Sequence, residues 1–338
     1  MFLSFPFSFG FGVLCVAGSV ISVSSGDWLG VWLGLEVNLL GFIPLVIQVS
    51  GEQSVEAAIK YFIVQAVGSG FLLLGALGEG NLFFWWYSAS NFFSLGLFFC
   101  VAGLVLKLGV APLHWWVPSV MGGLSWVGCG VLMTWQKLAP FFILVSLSFY
   151  FSWFLLFLGC VSSFLGGVMG IGQVQVRILM AYSSISHWGW ILGLLSLSFV
   201  CSFSYLFFYL FISVVLFYFL GCQGLSRVSD IKGYMGLFLM FGFLSLGGLP
   251  PMTGFLPKWV GLQLVSNYQS FVLLVFLILG SLLSLYYYLS FLFVFFVENS
   301  GSYFSLHKKF FVSSVGAGLV FLVLGFPLYE FVYYWGFS

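Results

Sequence analysis

Long apolar runs separated by short polar or glycine-rich breaks make up almost the whole of this 338-residue chain. One helix needs about 20 consecutive apolar residues to cross a bilayer. Cutting the chain at its breaks predicts eleven such segments. The pattern therefore predicts an all-α polytopic membrane protein of about eleven transmembrane helices, near residues 3–24, 27–49, 54–78, 92–117, 124–148, 150–170, 175–198, 202–221, 234–268, 270–297 and 311–333.

Two of these segments contain helix-breaking residues. The ninth is long and includes the run GGLPP at 247–251, and the fourth includes Pro112 and Pro118. A helix broken at membrane depth is tolerated only where it faces protein or a watery cavity. Two broken helices at corresponding positions are typical of the inverted repeats of transporters. We therefore expect one integral membrane domain with antiporter-like repeats, divided into a first half (1–149), a second half (150–297) and a C-terminal helix (311–333).

The composition excludes a soluble protein. Hydrophobic residues account for 62% of the chain and charged residues for 5%, whereas soluble domains carry about 25% charged residues. The net charge of +1 includes no basic run, which argues against nucleic acid as a partner and leaves the lipid bilayer as the expected surroundings. The six cysteines lack the close spacing of zinc or iron–sulfur ligands, so we expect no redox centre and no metal site in this chain.

The distribution of basic residues predicts the orientation. When the spans are counted from the N-terminus, most Lys and Arg residues near loops fall on one side of the membrane. The N-terminus lies on that same side. Positive charge gathers on the inner side of membranes, so the N-terminus is predicted inside and the C-terminus outside. The residues concerned are Lys60, Arg177, Arg227, Lys232, Lys308 and Lys309.

Four ionisable residues lie deep within predicted spans: Glu36, Lys107, Lys137 and Lys258. Each costs at least about 2.5–3.5 kcal/mol at a helix centre on insertion scales, and such residues are functional candidates by default. The alternative is a long lysine that extends its charge to the membrane interface. That alternative applies best to Lys258, because it follows a predicted break.

The chemistry of these residues suits proton handling. Burial favours the neutral amine of a lysine and a nearby carboxylate favours the ammonium, so a lysine with a releasable carboxylate is a switchable proton site. Glu36 is a candidate partner of Lys107. His114 and His187 add groups that titrate near neutral pH, although either could equally be a structural hydrogen bonder.

Four blocks of the sequence resemble one known family. They are WLGLEVN at 32–38 followed by Pro44-Leu45, KLGVAPLHWWVPSV with LMTWQKLAP between 107 and 140, GGVMGIGQVQVRILMAYSSISHWGW at 166–190, and GGLPPMTGFLPKW at 247–259. Together and in this order they are similar to subunit 2 of NADH:ubiquinone oxidoreductase (respiratory complex I), which is mitochondrially encoded.

The resemblance implies an antiporter-like fold and specific roles. It implies that Glu36 and Lys107 form a pair, that Lys137 is the central relay, and that Lys258 leads towards the outlet or a neighbouring subunit. His114 and His187 match histidines of the same motifs. The sequence departs from the family at Ser119, where many relatives are acidic, and it lacks the lysine that follows Arg177 in the family.

The resemblance also implies a function. The chain would be a core subunit of the membrane arm in a translocase of the mitochondrial inner membrane, with its N-terminus in the matrix and its C-terminus in the intermembrane space. It would couple electron transfer from NADH to ubiquinone to proton translocation. NADH, FMN, iron–sulfur clusters and ubiquinone would be used by other subunits of the complex, with no cofactor bound by this chain. The alternatives are a free-standing cation/proton antiporter and a scaffold subunit that does not pump.

Overall fold

The computed structural model describes residues 7–48, 51–78, 95–224, 233–250 and 252–299, of which 233–238 and 294–299 are described by their backbone alone. Within these ranges the chain is entirely helical, with no strand, as the sequence predicts. The helices are α1 (Phe7–Ser24), α2 (Trp28–Ile47), α3 (Glu52–Gly78), α4 (Leu95–Leu108), α5 (Trp116–Gly123), α6 (Trp126–Met133), α7 (Trp135–Leu147), α8 (Ser152–Gly170), α9 (Val176–Leu195), α10 (Phe199–Gln223), α11 (Gly233–Gly247), α12 (Phe255–Asn267) and α13 (Phe271–Asn299).

Eight stretches of the described chain are long and apolar enough to cross a membrane. The protein is therefore a multi-pass membrane protein. The predicted segment 311–333 lies outside the described residues. The eight stretches are Phe7–Ser24, Trp28–Ile47, Glu52–Gly78, Trp126–Leu147, Ser152–Gly170, Val176–Leu195, Phe199–Gln223 and Phe271–Phe293.

The predicted segment 124–148 contains a helix junction that the hydrophobic pattern did not predict. Helix α6 ends at Met133 and α7 begins at Trp135. Between them, the hydroxyl of Thr134 donates to the carbonyl of Gly130 at 2.7 Å. A threonine that bonds to the preceding turn in this way often distorts a helix, and here Thr134 departs from ideal helical geometry, with φ −107° and ψ −73°.

The chain forms two compact units, the first ending at Ser152 and the second beginning at Trp153. In the first unit, α1 and α2 are in direct backbone contact because small residues lie along both helices. A Cβ atom added at Gly34 would overlap the backbone of Ser22, and one at Gly18 would overlap the backbone of Asn38. Packing through small residues is a usual way for membrane helices to approach closely.

Helices α4 and α11 end in the same way. At the end of α4, Gly109 adopts φ 69°; its N–H donates to Leu106, and the N–H of Val110 donates to Val105. At the end of α11, Gly248 adopts φ 77° and the equivalent bonds join Gly248 to Ser245 and Leu249 to Leu244. Both ends are Schellman motifs, in which a left-handed residue, usually glycine, closes the last turn.

In the second unit, α9 is the central helix and nearly all of its side chains are buried. Gly189 and Gly193 of α9 are close to the backbones of Ser163 and Gly159 of α8. The other side of α9 faces α10 and α13, so polar side chains of α9 are enclosed by its neighbours.

Replacing Gly34 with alanine should destabilise the first unit. The added methyl group would force α1 away from α2, and overpacking of this kind costs about 1–3 kcal/mol. The matched control is Gly12→Ala on α1, where an added Cβ meets nothing within 4 Å. Thermal unfolding of the purified protein checks this expectation. Equal unfolding midpoints for the two variants would contradict the close α1–α2 contact.

Candidate functional site

Five of the six candidate residues are buried, and Glu36 is half-buried. The lysines are therefore enclosed by protein in the described structure rather than extended to its surface. Exposed fractions are 5% for Lys107, 2% for Lys137, 7% for Lys258, 2% for His114 and 6% for His187.

The structure brings Glu36 of α2 and Lys107 of α4 into electrostatic interaction. The stem of Lys107 packs against α3 at Gly68, where a Cβ would lie 3.0 Å from the Lys107 Cγ. In the described part of the chain, no carboxylate oxygen lies within the 4.0 Å of a direct ion pair with Lys107. The two charges are thus near each other without being in contact, so a small movement of either helix changes their interaction.

His114 lies in the loop between α4 and α5. Its Nδ1 is 3.2 Å from the carbonyl oxygen of Pro112, and its ring stacks on Trp115 at 5.0 Å between centroids. Since a carbonyl oxygen can only accept, Nδ1 carries the proton and Nε2 is left as an acceptor. The described contacts of His114 are with these two neighbours and not with Lys107.

A hydrogen-bonded group of polar side chains, which we call the amide network, joins three helices of the first unit. Nε2 of Gln136 on α7 donates to Oδ1 of Asn38 on α2 at 3.0 Å. Oε1 of Gln136 accepts from the hydroxyl of Tyr61 on α3 at 3.3 Å. All three side chains are buried. Because Asn38 is two residues from Glu36 and Gln136 precedes Lys137, the network connects the helices that carry these charges.

The carbonyl groups at the end of α4 are bonded by neutral donors. The indole Nε1 of Trp116 donates to the carbonyl of Leu106 at 3.1 Å, and Nε2 of Gln65 donates to that of Lys107 at 3.4 Å. The last carbonyls of a helix have no partner within it. The end of α4 is therefore closed by side chains of α3 and α5.

The end of α11 is closed by a charge instead. Nζ of Lys258 on α12 donates to the carbonyls of Leu246 at 3.1 Å and Gly247 at 2.8 Å. A lysine at the C-terminus of a helix is also favoured by the helix dipole. The burial of Lys258 is explained by this contact and does not require the charge to extend to the membrane interface.

His187 on α9 interacts electrostatically with Lys258. Its Nδ1 lies 2.9 Å from the hydroxyl of Tyr205, and its ring is 5.2 Å from that of Tyr209. A small cavity of about 10 Å³ borders His187, Tyr205 and Tyr209. It also borders Ser245 and Leu246, near the end of α11 that Lys258 binds. The second unit therefore places a histidine, two tyrosines and one of the carbonyls that bind Lys258 around one small, mainly apolar cavity.

The sequence reasoning missed several polar residues of these sites. Asn38 and Gln136 belong to the motifs quoted above, but their side chains carry no charge and so drew no attention. Tyr61 and Gln65 are one turn apart on α3, and their spacing on one apolar face was the available signal. Tyr205 lies in an aromatic run, where nothing in the sequence distinguishes it from its neighbours.

Replacing Gln136 with leucine should destabilise the protein. The change leaves the Asn38 amide and the Tyr61 hydroxyl without their partner, and each buried unsatisfied group costs about 1–3 kcal/mol. The control is Gln53→Leu, since Gln53 is exposed on α3 of the same unit. Thermal unfolding of both variants measures the effect. An unfolding midpoint for Gln136→Leu equal to that of the control would contradict the amide network.

Comparisons with known proteins agree with this architecture. Residues 25–284 match the model of the family described as NADH:quinone oxidoreductase/Mrp antiporter, transmembrane. The chain is 38% identical over 81% of its length to NADH-ubiquinone oxidoreductase chain 2 of Lumbricus terrestris, of which it covers 82%. It is similar to a chain in respiratory complex I from Thermus thermophilus with bound aureothin, at 25% identity and a TM-score of 0.77, over 94% of this chain and 78% of that one.

A chain of the Mrp complex from Dietzia shares the fold, with 17% identity, a TM-score of 0.75, and coverage of 85% of this chain and 60% of that one. The family match extends over most of the chain and includes all six candidate residues. The chain belongs to the family of transmembrane subunits of NADH:quinone oxidoreductases and Mrp antiporters.

Proposed function

We propose that this chain is the proton-translocating subunit 2 in the membrane arm of NADH:ubiquinone oxidoreductase, in the mitochondrial inner membrane. The relatives named as chain 2 of that enzyme support the assignment. The observation that carries the mechanism is the separated charge pair of Glu36 and Lys107, two charges near each other and not in direct contact. Because the two groups are not in direct contact, their protonation can change without first breaking a tight ion pair.

In the first unit, the pair acts as the switch. When Glu36 and Lys107 approach, the carboxylate stabilises the ammonium; when they separate, desolvation favours the neutral amine and a proton leaves. Lys137 is the next proton carrier, on α7. The amide network supports this role because it connects α7 with the helix that carries Glu36.

In the second unit, Lys258 and His187 continue the route. Their electrostatic interaction means that a proton gained by one disfavours a proton on the other, which favours passing a single proton between them. His114 has a free acceptor nitrogen in the first unit and is a further candidate carrier.

The wider assignment follows from the family. Electron transfer from NADH through FMN and iron–sulfur clusters to ubiquinone belongs to other subunits, and this chain binds none of these groups. Its partners are other membrane-arm subunits and lipid, and not nucleic acid. We propose about eleven spans in two inverted repeats with broken helices, the N-terminus in the matrix and the C-terminus in the intermembrane space. The matching Schellman ends of α4 and α11 support the repeats.

A free-standing cation/proton antiporter is the second candidate, favoured by the fold shared with a chain of the Mrp complex. Native gel electrophoresis of gently solubilised membranes separates the two. We expect this chain to migrate with a large assembly that stains for NADH oxidation. Migration of the chain apart from that activity would favour the antiporter and direct the work to ion-flux assays.

Replacing Lys137 with methionine in the assembled complex should lower the number of protons pumped per electron, because the central carrier is lost. The matched control is Lys60→Met: the Lys60 side chain is 46% exposed and pairs only locally with Glu56 at 2.6 Å. Proton uptake by sealed vesicles during NADH oxidation measures the ratio. A ratio unchanged by Lys137→Met would support a scaffold subunit that does not pump.

A further inference from the structure

Four tyrosine hydroxyl groups are buried together in the second unit, around the site of His187. Each of these tyrosines is at most 5% exposed. With the serines on the facing side of α9 they form what we call the hydroxyl cluster: Tyr205, Tyr209, Tyr287, Tyr288, Ser183, Ser184 and Ser186. The tyrosines come from α10 and α13, so three helices contribute to the cluster.

The cluster begins at His187 and proceeds through neighbouring hydroxyls. Tyr205 is hydrogen-bonded to His187 Nδ1, and Ser184 lies beside Tyr209. Ser183 lies beside Tyr288, and the rings of Tyr287 and Tyr288 are 4.6 Å apart.

The cluster ends beside the lysine-bound end of α11. A Cβ atom added at Gly247 would lie 3.4 Å from the ring of Tyr288, and the carbonyl of Gly247 accepts the hydrogen bond from Lys258. The small cavity described above borders Tyr205 and Tyr209 of the cluster and Leu246, whose carbonyl also binds Lys258. The cluster therefore extends from His187 to a tyrosine ring that packs beside Gly247, whose carbonyl binds the Lys258 ammonium.

Packing alone does not account for these hydroxyls. A buried hydroxyl without a full set of partners costs about 1–3 kcal/mol, and phenylalanine would fill almost the same volume without that cost. The chain uses phenylalanine freely, with 45 against 16 tyrosines. The hydroxyls of Tyr287 and Tyr288 lie beside Ser186 and Ser183 without forming well-aligned hydrogen bonds among the described residues, so their oxygen atoms are retained at a cost to stability.

The serine hydroxyls of α9 are available as hydrogen-bond acceptors. The hydroxyls of Ser183, Ser184 and Ser186 each donate to a carbonyl of the preceding turn, at 2.8, 2.7 and 2.7 Å. A hydroxyl that donates in this way still has lone pairs to accept a bond. Their oxygens can therefore accept a bond from a neighbouring tyrosine, while the tyrosine hydroxyls can both donate and accept.

We propose that the hydroxyl cluster conducts protons between Lys258 and His187, an inference that rests on the proposed function. The Lys258 ammonium gives a proton to a water molecule or hydroxyl beside it, and each oxygen passes one of its own protons to the next. The last oxygen protonates the neutral imidazole of His187. One N–H bond is broken at Lys258 and one is formed at His187, and every oxygen in between regains the proton that it gave.

The test replaces Tyr288 or Tyr205 with phenylalanine in the assembled complex, which removes one oxygen and keeps the ring. The control is Tyr286→Phe on the same helix as Tyr288, because Tyr286 is 61% exposed. Native gels show whether each variant assembles, and the two sites provide independent tests. Complexes that carry Y288F or Y205F should pump fewer protons per electron than those that carry Y286F. Their turnover should also be slowed less by D₂O, because proton transfer through the cluster no longer contributes to the slowing.

A normal proton-to-electron ratio and a normal D₂O effect in both variants would overturn the proposal, even with a lower unfolding midpoint, because a merely structural role moves stability alone. The comparison with Lys137→Met keeps the two proposals distinct. If Lys137→Met lowers the ratio and the tyrosine variants do not, the hydroxyl cluster is excluded and the proposed function stands. If none of them lowers the ratio, both proposals fail.

Discussion

Every buried carbonyl group at a helix end must find its partner within the protein, because an apolar medium offers none. This constraint is met at two places where a helix stops among other helices. The end of α4 is closed by Trp116 and Gln65, and the end of α11 is closed by Lys258. At the end of α11 the residue required for closure is itself a candidate proton carrier, because Lys258 also interacts with His187.

The two units meet this constraint with different chemistry. In the first unit the donors at the helix end are neutral, which leaves the charge of Lys107 to interact with Glu36. In the second unit the donor is itself the charged group, and its electrostatic neighbour is a histidine. A site with a carboxylate holds positive charge more readily than one with an imidazole. Under the proposed function, the first unit would therefore act as the switch and the second would pass a proton on.

Much of the fold and the positions of the charged residues could be predicted from sequence, because a charge in an apolar run and a Gly-Pro break are local signals. Lys107, Lys137 and Lys258 are visible in this way. Their partners are not. The bond of Gln136 to Asn38 joins residues 98 apart in sequence, and neither is unusual in its own segment. The junction at Thr134 was missed because one threonine in an apolar helix does not interrupt the hydrophobic pattern, although its hydroxyl bonds to the preceding turn.

The two hydrogen bonds of Lys258 have a stereochemical consequence. The amine nitrogen is tetrahedral: one position is taken by Cε and two by the N–H groups that point to Leu246 and Gly247. A neutral amine keeps two N–H groups, so both bonds survive when the third proton leaves. Only the fourth position exchanges protons, and the end of α11 determines its direction in space. In the proposed proton route, a flexible side chain would thereby become a directional donor, which receives and releases its proton along a single axis.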